Sequence, residues 1–247
     1  MQVDHSKLKL VYVDFDGTLV RSTSLHYLVA LRAFHLKKYR TLISLSMCLL
    51  AWACIPLILI LHQTSEMARD RLLILLYWGL SSADLNEGAC QYWRENQASV
   101  FRLAVLDLIR SYHQKDYRIV IVSGSLYEII YPAIQACGMT KLIDGYLTPE
   151  LVYGSDRKLT GRLIGKPNIQ LEKIERIRTY ESSEQIHAVE RVAVTDSTSD
   201  LPLLNFCDAG IVVSPKRKLR AEAYERNWSI IDDLKHRLHE TKAKLVH

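Results

Sequence analysis

Apolar residues recur along this chain in short runs closed by glycine or acidic turns, and the runs alternate with segments of helical period. Leu10 to Val13 are apolar at consecutive positions, which predicts a strand of about residues 9–14 buried on both faces of a mostly parallel sheet, broken at Gly17. Arg118 to Val122 predict a second strand, Tyr127 to Ala136 a helix ending at Gly138, and Leu142 to Leu147 a short strand. Leu151 to Leu163 read as a polar hairpin with Gly154, Ser155, Asp156 and Gly161 as turn residues. Ile169 to Tyr180 predict a helix, Arg191 to Thr195 a strand, Leu201 to Asn205 a short helix and Ala209 to Val213 a last strand. Ala221 to His247 look helical and charged. Strands alternating with helices imply an α/β fold with a doubly wound, mostly parallel sheet. Its core is expected over 1–20 and 105–247, with a helical, apolar cap over 21–104.

The predicted strand ends carry the candidate chemistry. Asp14 and Asp16 follow the first strand at its carboxyl end, where open α/β sheets place ligands. Two carboxylates this close are unfavourable unless a cation or a shared proton compensates them. Ile119 to Val122 end in Ser123-Gly124-Ser125, a hydroxyl and free backbone N–H groups suited to a phosphate. Arg191 to Thr195 end in Asp196-Ser197-Thr198-Ser199-Asp200, where Ser199 or Asp200 can also cap the next helix. Acids at two separate strand ends point to a divalent metal, and all-oxygen ligands suit Mg²⁺. A lysine is needed to offset phosphate charge. Lys166, in a Gly-Lys-Pro-Asn loop, and Lys173, at a helix start, are both open from the residues alone.

Composition narrows the partners. The 247 residues carry a net charge of +5, mildly basic and suited to an anionic substrate or a membrane surface, but too small to argue for nucleic acid. The five cysteines show no paired ligand spacing and read as reduced thiols of a cytosolic compartment. His236 and His239 share one face of the predicted final helix and read as solvated. Met1 to Lys9 are polar and lack the apolar stretch of a signal peptide.

Asp-Phe-Asp-Gly-Thr after an apolar strand, followed in order by Ser-Gly-Ser, a lysine and Asp-Ser-x-x-Asp, resembles the four motifs of the haloacid dehalogenase superfamily over nearly the whole chain. An insertion after the first motif, with Ser214-Pro215-Lys216, Leu219-Arg220 and Trp228, is similar to the phosphoserine phosphatase-like branch. Thr195 departs from that pattern, which has glycine there, and the loop Ile164 to Leu171 matches poorly. The resemblance implies Asp14 as nucleophile and Asp16 as acid and base. It implies Mg²⁺ held by Asp14, the Asp16 main-chain carbonyl and Asp196, with Asp200 supporting the metal shell. Thr18, Ser123, Gly124 and Lys173, chosen over Lys166 by its helix context, would hold phosphate.

Thr41 to Leu61 carry no charge over about the ~20 residues that span a bilayer. Arg32, Lys37, Lys38 and Arg40 precede the run and Arg69 and Arg71 follow it. Leu72 to Leu80, with Tyr77 and Trp78, is too short for a return crossing. The site segments must lie on one side of any membrane, so a re-entrant or interfacial hairpin bent at Pro56 is expected; a buried cap helix or dimer seam is the alternative. With Leu76-Tyr77-Trp78-Gly79, this resembles phosphatidylglycerophosphatase C-like members. The expected function is an Mg²⁺-dependent phosphomonoester hydrolase acting on a phospholipid head group at the cytoplasmic face of a bacterial-type inner membrane. Alternatives are a soluble, cytoplasmic phosphatase of the phosphoserine type, a phosphotransferase, or a non-catalytic membrane-binding protein. The sequence leaves the oligomeric state open.

Overall fold

The computed structural model describes residues 7–232. In chain order, β1 (Lys7–Val13) leads into five helices, α1 (Ser24–Tyr39), α2 (Leu42–Ala53), α3 (Ile55–Thr64), α4 (Glu66–Leu75) and α5 (Ser82–Val100). Then come α6 (Leu103–His113), β2 (Tyr117–Val122), α7 (Tyr127–Ala136), β3 (Gly145–Leu147) and the antiparallel pair β4 (Glu150–Tyr153) and β5 (Leu159–Ile164). The chain continues through α8 (Leu171–Ser183), β6 (His187–Thr195), α9 (Leu201–Phe206), β7 (Ala209–Val213), α10 (Arg217–Glu225) and β8 (Ser229–Ile231).

The main sheet has six strands in the order β3-β2-β1-β6-β7-β8, every neighbouring pair parallel. Successive side chains of a strand point to opposite faces, so a strand apolar throughout feeds two cores. Val11 and Val13 of β1, with Ile119 and Ile121 of β2, pack with Ile109 of α6 and Ile130 of α7. Leu10, Tyr12, Val120 and Val122 pack instead with Ile177 of α8, Leu203 of α9 and Leu219 of α10. The expected α/β, doubly wound parallel fold with a helical insertion is the fold observed.

The insertion is tied to this core by Trp93 of α5. Its ring meets Phe15 edge-on at 5.8 Å, and its indole N–H donates to the Ile129 carbonyl of α7 at 2.8 Å. The start of α5 is closed by a capping box: Ser81 Oγ accepts from the Asp84 N–H at 3.1 Å, and Asp84 Oδ2 accepts from the Ser81 N–H at 3.2 Å. Burial alone would raise the Asp84 carboxyl, but hydrogen bonds from Ser81 and Tyr39 outweigh it and hold the group down to about 2. Asp84→Ala is therefore expected to lower stability by about 1 kcal/mol at neutral pH. Because the folded value lies below the ordinary one, this contribution is present above about pH 4 and fades as pH falls toward 2. Urea unfolding of wild type and variant at pH 7 and pH 3 should show the gap narrowing on acidification.

Several expectations are corrected. The predicted helix from Ala221 stops at Glu225; Asn227 turns the chain at φ +56, and Ser229–Ile231 add an edge strand beside β7. His236 and His239 lie outside the described residues. The predicted strand from Leu142 is confined to Gly145–Leu147, after a 3₁₀ turn at Thr140–Leu142. The apolar run breaks at Cys54 rather than Pro56, which sits in the first turn of α3 where proline costs no hydrogen bond. Tyr77 and Leu80 are buried rather than interfacial, while Trp78 is half exposed. Arg32 is also buried, its guanidinium donating to the carbonyls of Leu76 and Trp78, so it belongs to the cap interior and not to a basic flank.

Candidate active site

Strand register brings the three predicted loops together. Val13 pairs with Ile121 on one side and Val194 on the other, so Asp14, Ser123 and Asp196 all emerge at the carboxyl edge of the sheet. Asp14 is buried, and its N–H donates to the Val194 carbonyl at 2.9 Å. Its Oδ1 accepts from Lys173 Nζ at 2.8 Å. Thr18 Oγ1 stands 3.0 Å from both Asp14 Oδ2 and Asp196 Oδ1, sharing one proton between them, and accepts from the Asp196 N–H. Gly17 holds φ +78, and a Cβ there would overlap the Asp196 carboxylate; glycine is what permits this approach.

Lys173 reaches inward from the first turn of α8. It donates to Asp14 and, also at 2.8 Å, to Asp200 Oδ2, which further accepts from Thr195 Oγ1 at 2.7 Å. Burial pulls the Lys173 ammonium down, but the two carboxylates more than offset that and leave it charged and raised. Lys166 is exposed in its loop, and it is Lys173 that meets Asp14. Thr195, where the resembled pattern has glycine, contributes the hydroxyl that fixes Asp200.

Asp16 is held differently. One oxygen accepts from Ser125 Oγ at 2.5 Å, while Oδ1 is buried with no hydrogen-bond partner. Burial first, and the nearby Asp14 charge second, push the Asp16 carboxyl up to about 7 against the Ser125 hydrogen bond. Asp196 is likewise raised to about 7 by burial and by Asp14. Ser123 is fully buried; its Oγ accepts from the Ser125 N–H at 3.0 Å, which shapes the Gly124 turn.

These groups fit a divalent cation by their chemistry. Asp14 and Asp196 converge through one hydroxyl, are largely desolvated and are all-oxygen donors, the preference of a hard ion such as Mg²⁺. Among the described residues no set of three His, Cys, Asp or Glu side chains stands in ligating geometry. Two side-chain carboxylates and a main-chain carbonyl, the set the motifs imply, would not form such a group.

Sequence reasoning did not single out four contributors. Asn168 is fully buried and donates to the carbonyls of Ser123 at 2.9 Å and Leu147 at 2.7 Å, clamping the serine–glycine turn. Ser125, which closes the Ser-Gly-Ser segment without a role of its own in the motif, donates its hydroxyl to Asp16. From the cap, Asp70 of α4 approaches Gly124, and Arg69 donates to Asp70 at 2.7 Å and contacts His62. These cap groups and the sheet-edge acids line one cavity of about 530 Å³, with Lys216 and Lys218 at its edge.

Acids gathered over the carboxyl edge of a parallel sheet, beneath a helical cap, mark the place where open α/β folds bind their ligands. Residues 11–205 match the haloacid dehalogenase-like hydrolase family, and the chain belongs to it. Over 222 residues, 90% of this chain and 70% of the relative, it is 24% identical to phosphoserine phosphatase SerB1 of Mycobacterium tuberculosis. Over 128 residues it is 29% identical to a histidinol-phosphatase of Neisseria meningitidis, a match spanning 51% of this chain and 56% of that protein. A Bordetella pertussis protein of unknown function shares the fold with TM-score 0.77 at 19% identity, over 92% of this chain and all of that one. A phosphoserine phosphatase captured as a phospho-aspartyl intermediate analogue aligns with TM-score 0.59 at 16% identity, over 95% and 99% of the two chains. The phosphoserine phosphatase-like branch is thus the part of the family this chain resembles.

Proposed function

We propose that this protein hydrolyses small phosphate monoesters through an aspartyl-phosphate on Asp14, using the core formed by 1–20 and 105–247 under a cap of 21–104. The observation that carries this reading is the Asp14 carboxylate held between Lys173 and Thr18, beside an Asp16 carboxyl with one free, buried oxygen. An Asp14 oxygen attacks phosphorus, forming the aspartyl O–P bond as the ester P–O bond breaks. Asp16, its carboxyl raised to about 7, can hold a proton near neutrality and give it to the departing alkoxide. It then takes a proton from water, which attacks phosphorus and releases phosphate and the Asp14 carboxylate. Lys173, the Ser123 hydroxyl, the Gly124 N–H and Thr18 hold the phosphoryl oxygens. Asp14, the Asp16 carbonyl and Asp196 would hold Mg²⁺, which neutralises charge developing on the phosphoryl group. Asp200 keeps Lys173 in place.

The polar cap wall of His62, Glu66, Arg69 and Asp70 supports a small substrate bearing charged groups. The names of the two curated relatives, a phosphoserine and a histidinol-phosphate phosphatase, support the same class. A second reading, a phospholipid head group such as phosphatidylglycerophosphate, is favoured by Ile58 and Leu59, apolar residues of α3 on the cavity wall. Phosphate release should be compared across phosphoserine, histidinol phosphate and micellar phosphatidylglycerophosphate, with magnesium and with chelator. Faster release from the small esters is expected; preference for the micellar lipid would move the assignment to the second reading.

A further inference from the structure

Helices α2 and α3 are built inside out. Along α2 the residues turned into the protein are Ser44, Cys48 and Ala51, small side chains spaced four and three apart. The outward ones are Leu42, Ile43, Leu45, Leu49, Leu50 and Trp52, from 41% to 83% exposed. A helix covered only by water turns its large apolar residues inward. Beyond the break at Cys54 the pattern persists: Ile58 is buried, while Leu57, Leu59 and Ile60 are exposed. Single exposed leucines are ordinary, but a contiguous face of this kind marks an interaction surface.

We propose that this face docks on an anionic lipid surface, with the two helices lying in the plane of the interface. Four observations select that occupant. The outward face carries no charge from Thr41 to Leu61, yet exposed Lys37 and Arg40 stand at its leading end. An anionic bilayer complements that rim. Exposed Tyr39 and Trp52 are residue types favoured at the lipid–water boundary. No single described helix is long and apolar enough to cross a membrane; α2 and α3 reach that length and apolarity only as a pair broken by a 43° bend, a shape that also fits two helices lying along an interface. The same surface adjoins the cavity through Leu59, which is exposed and also on the cavity wall, so docking would set the catalytic mouth beside the lipid.

Docking is independent of which phosphate ester is cleaved, so its test is separable. Full-length protein is floated with vesicles of phosphatidylcholine and phosphatidylglycerol, and with vesicles of phosphatidylcholine alone. Wild type should float with the anionic vesicles, Leu49→Glu/Ile60→Glu should lose at least roughly tenfold in binding, and Lys37→Glu/Arg40→Glu should lose the preference for anionic lipid. Leu49→Ser/Ile60→Ser, with the same expected loss, covers the case in which the glutamates disturb the fold. Hydrolysis of a soluble phosphate ester by these variants should stay within twofold of wild type, showing the site intact. Wild type remaining with the vesicle-free fraction would overturn the proposal. So would a dimer, seen by sedimentation, that the same substitutions dissolve, because the occupant would then be a second copy.

Discussion

Asp14→Asn is expected to lower phosphate release by roughly 10⁴-fold or more while leaving the fold in place. An amide has nearly the shape of the carboxylate, and it keeps an oxygen able to accept from Thr18 or Lys173. What it loses is the nucleophile's charge. It also ends the burial of a charge, which outweighs the attraction to Lys173 and holds the Asp14 carboxyl above its ordinary value, and Lys173 keeps Asp200 as its partner, so the variant should unfold at the same or slightly higher urea concentration. Lost activity with unchanged stability is the signature of a group retained for chemistry. Turnover near the wild-type rate would mean that phosphorus is attacked by something else.

Lys173→Ala should show the opposite balance, costing both activity and stability. Its ammonium is shared at 2.8 Å by two buried carboxylates, Asp14 and Asp200, and removing it leaves both without their common cation. Deleting one partner of a buried ionic group typically costs about 3–5 kcal/mol. Loss of a charge aimed at the phosphoryl oxygens should lower the rate by roughly 10²–10³-fold besides. Lys166→Ala, on an exposed loop, should change stability by less than about 0.5 kcal/mol and leave turnover unaltered. Urea titration and a phosphate-release assay on the two variants separate these outcomes. Equal effects would show that the lysine geometry is not what the site depends on.

The contrast between the two lysines bears on what a sequence can carry. The β1, β2, β6 and β7 strands were legible because each holds a run of consecutive apolar positions, and Asp14 and Asp196 were legible because they directly follow β1 and β6. That adjacency is local, so it survives without coordinates. Asn168 bonding Ser123, or Asp70 approaching Gly124, joins residues tens of positions apart, and nothing near either residue announces its partner. Edge strand β8 is three residues long and is secured by Trp228 lying against Gly210, again a distant contact. The apolar run of α2 and α3 was plain in composition, but composition does not say which face turns inward. The spacing of Ser44, Cys48 and Ala51 held that information, visible once α1 is known to be the neighbour.

The cap and the sheet edge meet at the cavity, which links stability to chemistry. The acids at 14, 16 and 196 are costly to bury, and β-strand register leaves them no other place. Thr18, Ser125 and Lys173 lower that cost without removing it, so two carboxyls stay raised to about 7. A bound divalent cation would relieve the remainder.

Covalent capture tests this most directly. Protein turning over a small phosphate ester is quenched in acid, digested and searched by mass spectrometry for phosphorylated peptides. Phosphate attached to Asp14, absent from the Asp14→Asn protein, is the predicted result. Steady hydrolysis with no phosphate on Asp14, or with phosphate on another residue, would contradict the account.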